Sequence, residues 1–255
     1  MDALPPPRPG TPAGPLRINL WSGPRNVSTA LMYSFAQRAD TRVVDEPLYG
    51  HYLRVSGADH PAAAEVMAAM DCDGDRVVRS VILGPCDRPV LFCKQMAHHL
   101  VDLDEAFLAA CANVLLVRDP VQMLPSLARQ IPRPTLRDTG LARQWALFEG
   151  LRARGQAPPV LDARALLQDP AGVLARLCAR LGLSFDAAML RWPAGPRPED
   201  GVWAPHWYHT VWASTGFQPY RPRTGPFPDA LAAVLAECRP YYARLAEHVI
   251  GGDVG

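Results

Sequence analysis

The chain has little that would tie it to a membrane, a metal or a disulfide framework. No apolar run approaches the roughly 20 residues needed to cross a bilayer. The six cysteines, at 72, 86, 93, 111, 178 and 238, form no C-x-x-C pair and no Cys/His cluster at zinc spacing, which disfavours a structural metal. Cys93 and Cys111 lie in apolar runs and read as reduced core residues. Residues 1–15 are rich in Pro and Gly and lack a basic segment followed by an apolar one, so a disordered tail is expected rather than a signal peptide. These absences point to a cytoplasmic protein. An excess of charge is missing too: 26 basic side chains face 25 acidic ones, for a formal net charge of +1. That gives no electrostatic case for nucleic acid, while a local basic pocket for a small anion stays compatible with it. Lysine is almost absent, Lys94 being the only one.

What is present is a 255-residue chain, 49% hydrophobic, enough for one large α/β domain expected over residues 16–255. Short apolar runs at 17–21, 42–45, 89–93, 113–117 and 160–161 read as buried strands, with Lys94 at the end of the third. Helices are expected from about Ser28, over 61–70, 104–112, 139–154 and 170–181, and finally over 228–248; Gly182 closes the helix at 170–181. Asp119-Pro120 should open another, with Asp as N-cap and Pro at the first helical position. Strands alternating with helices imply a three-layer α/β/α arrangement around a mostly parallel sheet.

In such sheets the helix after the first strand points its N-terminus at an anion. Here that turn is Ser22-Gly23-Pro24-Arg25-Asn26-Val27-Ser28-Thr29. It offers backbone N–H groups, a small residue, a cation and hydroxyls. A Walker A loop would require Gly at 27 and Lys at 28, so a kinase with a P-loop lysine is disfavoured.

The loop resembles the 5′-phosphosulfate loop of sulfotransferases that use 3′-phosphoadenosine 5′-phosphosulfate (PAPS), of the bacterial small-molecule type. Asn26-Val27 stands where that family has Ser-Gly, and valine lacks glycine's backbone freedom, so the loop's geometry is where a difference is expected. A second stretch, the strand 113–117 running into Arg118-Asp119-Pro120 with Ser126 eight residues after the arginine, is similar to the family's 3′-phosphate element. A third, Val160-Leu161-Asp162 followed by Asp169-Pro170 and Leu177-x-x-x-Leu181-Gly182, matches its packing segment. More weakly, Ser214-Thr215-Gly216-Phe217 with Arg221 and Arg223 occupies the place of a loop that closes over the nucleotide.

The resemblance implies a P-loop NTPase-like sulfotransferase fold and PAPS as cosubstrate, with no metal. It places Ser22, Gly23, Arg25, Asn26, Val27, Ser28, Thr29, Arg118 and Ser126 around the nucleotide, and Arg25 and Lys94 as cations at the reaction. The base is expected to be Glu46, where some bacterial and carbohydrate sulfotransferases carry a catalytic Glu. His98, two residues out of step with the Lys-x-His of cytosolic enzymes, is second, with His99 its neighbour. Asp45 is expected to point away from Glu46 on its strand. The cluster Trp203, His206, Trp207, Tyr208, His209 and Trp212 has spacings suited to one helical face, more often core packing than an acceptor wall. Alternatives are an inactive nucleotide-binding scaffold, a kinase, and a pyridoxal aminotransferase, for which Lys94 would be the sole Schiff-base candidate.

Overall fold

The computed structural model describes residues 14–251. Most of the expected tail, residues 1–13, lies outside them. The strands are β1 Leu16–Ser22, β2 Thr41–Asp45, β3 Val90–Met96, β4 Ala112–Val117 and β5 Val160–Asp162. They form one parallel sheet in the order β2-β3-β1-β4-β5. Chain order reverses on either side of β1, so the carboxyl end of that strand is the switch point at which such sheets collect ligands.

Continuous apolar runs make strands buried on both faces. On one face Ile18, Leu20, Phe92 and Val114 pack against Leu31, Met32 and Phe35 of α1 Ser28–Phe35. Phe35 stacks on Phe92 with centroids 4.2 Å apart, a contact worth about 1 kcal/mol beyond area burial. On the other face Trp21, Leu91 and Cys93 pack with Leu147 and Leu151. Trp21 reconciles its indole with that core by donating Nε1–H to Asn113 Oδ1 at 3.0 Å.

The remaining helices, in chain order, are α2 Tyr49–Ser56, α3 Ala63–Ala69, α4 Gly74–Val77, α5 Pro120–Leu127, α6 Leu136–Thr139, α7 Leu141–Ala153, α8 Ala163–Gln168, α9 Pro170–Arg180, α10 Ala204–Trp207, α11 His209–Trp212 and α12 Ala232–Ala246. α5 begins as the sequence implies: Asp119 Oδ1 accepts from the Val121 N–H at 2.8 Å and Pro120 opens the helix. α9 is closed by Gly182 at φ 72°, also as expected.

Several boundaries differ. β3 runs two residues beyond Lys94, so that side chain is inside the sheet rather than at its edge. The expected helix 139–154 is split by Gly140, whose φ of 72° ends α6 and starts α7. Residues 105–110 are a 3-10 helix, and α12 starts only after a 3-10 turn at Asp229–Leu231. The aromatic segment is two short helices rather than one face, because the chain leaves helical geometry at Tyr208, with φ −103° and ψ 6°. α2 has no counterpart in the sequence expectations, although Tyr49, Tyr52 and Leu53 carry an i, i+3, i+4 pattern and are all buried. Among the described residues no helix is long and apolar enough to cross a membrane.

Candidate active site

The loop after β1 is held open by three devices. Gly23 packs so tightly that a Cβ there would lie 2.5 Å from the Thr139 carbonyl oxygen, so glycine is required for close approach. Arg25 has φ 52°, a left-handed conformation that costs roughly 1–3 kcal/mol for a non-glycine residue and recurs at functional sites. Asn26 ties the loop to β4 by donating Nδ2–H to the Leu116 carbonyl at 3.0 Å, while its Oδ1 accepts from the Val27 N–H at 2.8 Å. Val27 itself has φ −91°, which any L-residue adopts. The Ser-Gly to Asn-Val exchange therefore demands no glycine-like backbone at 27.

α1 starts without a side-chain cap, so the first-turn amides of Ser28, Thr29 and Ala30 have no side-chain acceptor. Ser28 and Thr29 line a cavity of about 440 Å³ together with Arg25, Asn26 and Val27. Ser22 and Gly23 do not line it; the Ser22 hydroxyl donates to the Gly23 carbonyl at 2.8 Å. The two motifs meet here. Arg25 Nε donates to Ser126 Oγ at 3.0 Å, and Arg118 Nη1 donates to the Arg25 carbonyl. Burial lowers the Arg25 guanidinium below its ordinary range, with the like charge of Arg129 adding to it; burial and then Arg25 do the same to Arg118. Neither arginine is ion-paired among the described residues. Asp162 and Asp119 act on Arg118 only from beyond ion-pair distance, and partly desolvated cations without an ion pair make a site in want of anionic charge.

A second cavity of about 420 Å³ adjoins the first and shares Arg118, Leu167, Thr210 and Gln218 with it. Tyr220 and Arg221 line it. Ser214 and Gly216 belong to the first cavity, whereas Arg223 turns to the Pro226 carbonyl.

Across the first cavity lies a buried charged cluster. Lys94 Nζ donates to Asp45 Oδ1 at 2.7 Å, to Glu46 Oε1 at 2.6 Å and to the Tyr208 hydroxyl oxygen at 2.5 Å. The expectation that Asp45 and Glu46 point apart is thus corrected. β2 ends at Asp45, and Glu46 has φ 41°, which breaks strand alternation and turns both carboxylates onto one ammonium. Lys94 is also not a free cation, since all three of its protons are taken. Burial lowers the Lys94 pKa, but the paired Asp45 and Glu46 outweigh it and hold the ammonium above its usual range. Burial raises the Glu46 carboxyl, and Asp45 adds to this against the opposing Lys94.

His98 and His99 are buried beside this cluster, His99 Nδ1 lying 3.9 Å from Glu46 Oε2. Burial pushes His98 down to about 3 and His99 well below the histidine range, so both imidazoles are neutral and weak bases. Tyr49 and Tyr52 stack on His99. Trp203 and Tyr208 are core residues as well as cavity lining, so the aromatic segment is both packing and wall. His206 and His209 do not line the cavity, and among the described residues no cluster of three His, Cys, Asp or Glu is placed to hold a metal ion.

Residues 16–248 match the family described as the sulfotransferase domain. Branched-chain-amino-acid aminotransferase-like protein 1 of Arabidopsis thaliana is 41% identical over 238 residues, covering 93% of this chain and 43% of that protein. Branched-chain-amino-acid aminotransferase-like protein 2 of the same plant is 40% identical over 233 residues, covering 91% and 42%. The chain thus spans less than half the length of these relatives. Among solved structures, the sulfotransferase domain from the curacin biosynthetic pathway superposes with a TM-score of 0.50 at 14% identity, over 88% of this chain and 98% of that one. The sulfotransferase domain from the Synechococcus PCC 7002 olefin synthase does so with 0.51 at 14% identity, over 91% and 97%. At that identity the likeness is one of fold, and it agrees with the expected parallel α/β architecture.

Proposed function

The chain belongs to the sulfotransferase domain family, and from that membership we propose that residues 16–255 form one catalytic unit that moves the sulfuryl group of PAPS to a hydroxyl or similar nucleophile of a small molecule. The observation that carries the PAPS assignment is the meeting of Arg25, Arg118 and Ser126 beside the uncapped start of α1, with neither arginine ion-paired to a carboxylate among the described residues. A nucleotide with phosphates at both ends supplies the missing negative charge, and the adjoining cavity gives room for its length.

Glu46 is the base. It takes the acceptor's hydroxyl proton as the acceptor oxygen bonds to sulfur, and the bond between sulfur and the 5′-phosphate oxygen breaks in line. Products are the sulfated acceptor, 3′-phosphoadenosine 5′-phosphate and a protonated Glu46. Arg25 and the amides of Ser28 and Thr29 meet the charge gathering on the leaving phosphate. Lys94 acts through Glu46. A carboxylate with a raised pKa is the stronger base, which favours Glu46 over the depressed His98. On the acceptor side the walls are Tyr49, Trp203, Trp207 and the neutral His98, which suit an uncharged hydroxyl compound with a flat apolar body.

The aminotransferase wording in the names of the two plant relatives calls for a neutral nucleophilic lysine. The single lysine here is held charged by two carboxylates, which speaks against that chemistry. The experiment is to incubate the protein with PAPS and a panel of hydroxyl compounds and weigh the products. A mass gain of one sulfuryl group with wild type, lost in Glu46→Gln while nucleotide still binds, is expected. Undiminished transfer by Glu46→Gln removes Glu46 as base.

A further inference from the structure

We propose that Tyr208 is a positioning residue for the base: its hydroxyl bridges Lys94 and Asp45 and so fixes the ammonium against Glu46. This rests on the assignment of Glu46 as base. Tyr208 Oη accepts from Lys94 Nζ at 2.5 Å and from Trp203 Nε1 at 3.2 Å, and donates its own proton to Asp45 Oδ2 at 2.6 Å. Lys94 reaches Asp45 through the other oxygen, Oδ1. Both oxygens of Asp45 are therefore matched, and the third ammonium proton is left for Glu46 Oε1. The carboxylate oxygen outside this network is Glu46 Oε2, which is the atom free to take a proton.

Two buried carboxylates share one buried ammonium, and the balance between them decides how firmly Glu46 holds a proton. The phenol donor quiets Asp45, so Asp45 draws less on Lys94. Without it, Asp45 Oδ2 keeps only the long 3.5 Å bond from the Gly201 N–H, and Asp45 competes for the ammonium at the expense of Glu46. The groups facing Glu46 are Asp45 from β2, Lys94 from β3, His99 from the turn after β3, Tyr49 from α2 and Tyr208 between α10 and α11. His99 and Tyr49 are neutral, since burial depresses the imidazole and raises the phenol, so Asp45 and Lys94 are the charges that set the balance. Tyr208 is supplied by the aromatic segment that also walls the acceptor, so seating of that segment and readiness of the base are one event.

The test is the titration of the Glu46 carboxyl in the full chain by ¹³C NMR, with the resonance assigned by Glu46→Gln. It needs no turnover. Tyr208→Phe is expected to move the midpoint up by about one pH unit, a tenfold gain in proton affinity. Asp45→Asn, which removes the competing charge, is expected to move it down. Trp203→Phe strips a donor from the same hydroxyl while keeping a ring, and moves it the same way as Tyr208→Phe should the latter fold poorly. Where transfer is measured, the acid limb of kcat/KM follows these midpoints while nucleotide affinity stays at the wild-type value. An unmoved midpoint in Tyr208→Phe, or a downward one, overturns the proposal. Shifted midpoints in a protein that transfers no sulfuryl group would instead overturn the assigned function and leave the network standing.

Discussion

Arg25 and Ser126, 101 residues apart in sequence, are joined by a 3.0 Å hydrogen bond from guanidinium to hydroxyl. The bond makes one site of the loop after β1 and the helix after β4. Ser126→Ala leaves Arg25 Nε without its acceptor and lets the guanidinium swing. A neutral partner of this kind is worth about 1 kcal/mol, so nucleotide affinity should fall roughly fivefold with little change in melting temperature. Calorimetric titration of the variant checks this, and an unchanged affinity would mean that the bond orders nothing that binds.

Activity should depend on pH through Glu46. With Glu46 as the proposed base, the ionised carboxylate is the working form; burial followed by Asp45 raises its pKa, so turnover should be lost as pH falls through a value above the usual ~4.3 of a free glutamate. Measuring kcat/KM from pH 4 upward locates this limb. A limb at or below the ordinary carboxylate value would contradict the raised carboxyl.

Stability should fall with acid for a separate reason. His60, His98 and His99 are all lowered in the folded protein, chiefly by burial, so below the unfolded histidine value of ~6.5 the unfolded chain binds more protons than the native one. Their contribution is fully present above that value and is lost as pH drops, at up to about 1.4 kcal/mol per group per pH unit. Urea titrations at pH 7.5 and 5.5 read the difference, and His98→Gln should flatten it.

Gly23→Ala should destabilise the protein by about 1–3 kcal/mol, because the new methyl meets the Thr139 backbone carbonyl, which cannot swing aside as a side chain would. Denaturant midpoints of the two proteins measure it. A neutral result would show that α6 yields easily.

The strands and the meeting of Arg25, Arg118 and Ser126 were legible in the sequence for one reason: each is encoded locally. The run 114–117 is apolar throughout, and Arg25, Arg118 and Ser126 sit at fixed steps from strand ends. Asp45 was misassigned because strand alternation presumes extended backbone at the next residue, and Glu46 has φ 41° instead. The bond between Lys94 and Tyr208 was invisible, since nothing near Tyr208 announces a partner 114 residues away. Lys94 reads as a strand-end cation because the apolar run stops at Cys93, yet the strand continues, fully buried, through Lys94, Gln95 and Met96. Buried polar groups defeat patterns based on apolarity, and here they compose the charged cluster across the cavity.

The most direct measurement of the central claim is calorimetric titration of 3′-phosphoadenosine 5′-phosphate into wild type, Arg25→Ala and Arg118→Ala. Saturable one-to-one binding by wild type, weakened about 10- to 100-fold in each variant through loss of a charge-assisted contact, is expected. Absence of binding by a folded wild type, or affinity indifferent to both arginines, would contradict the account.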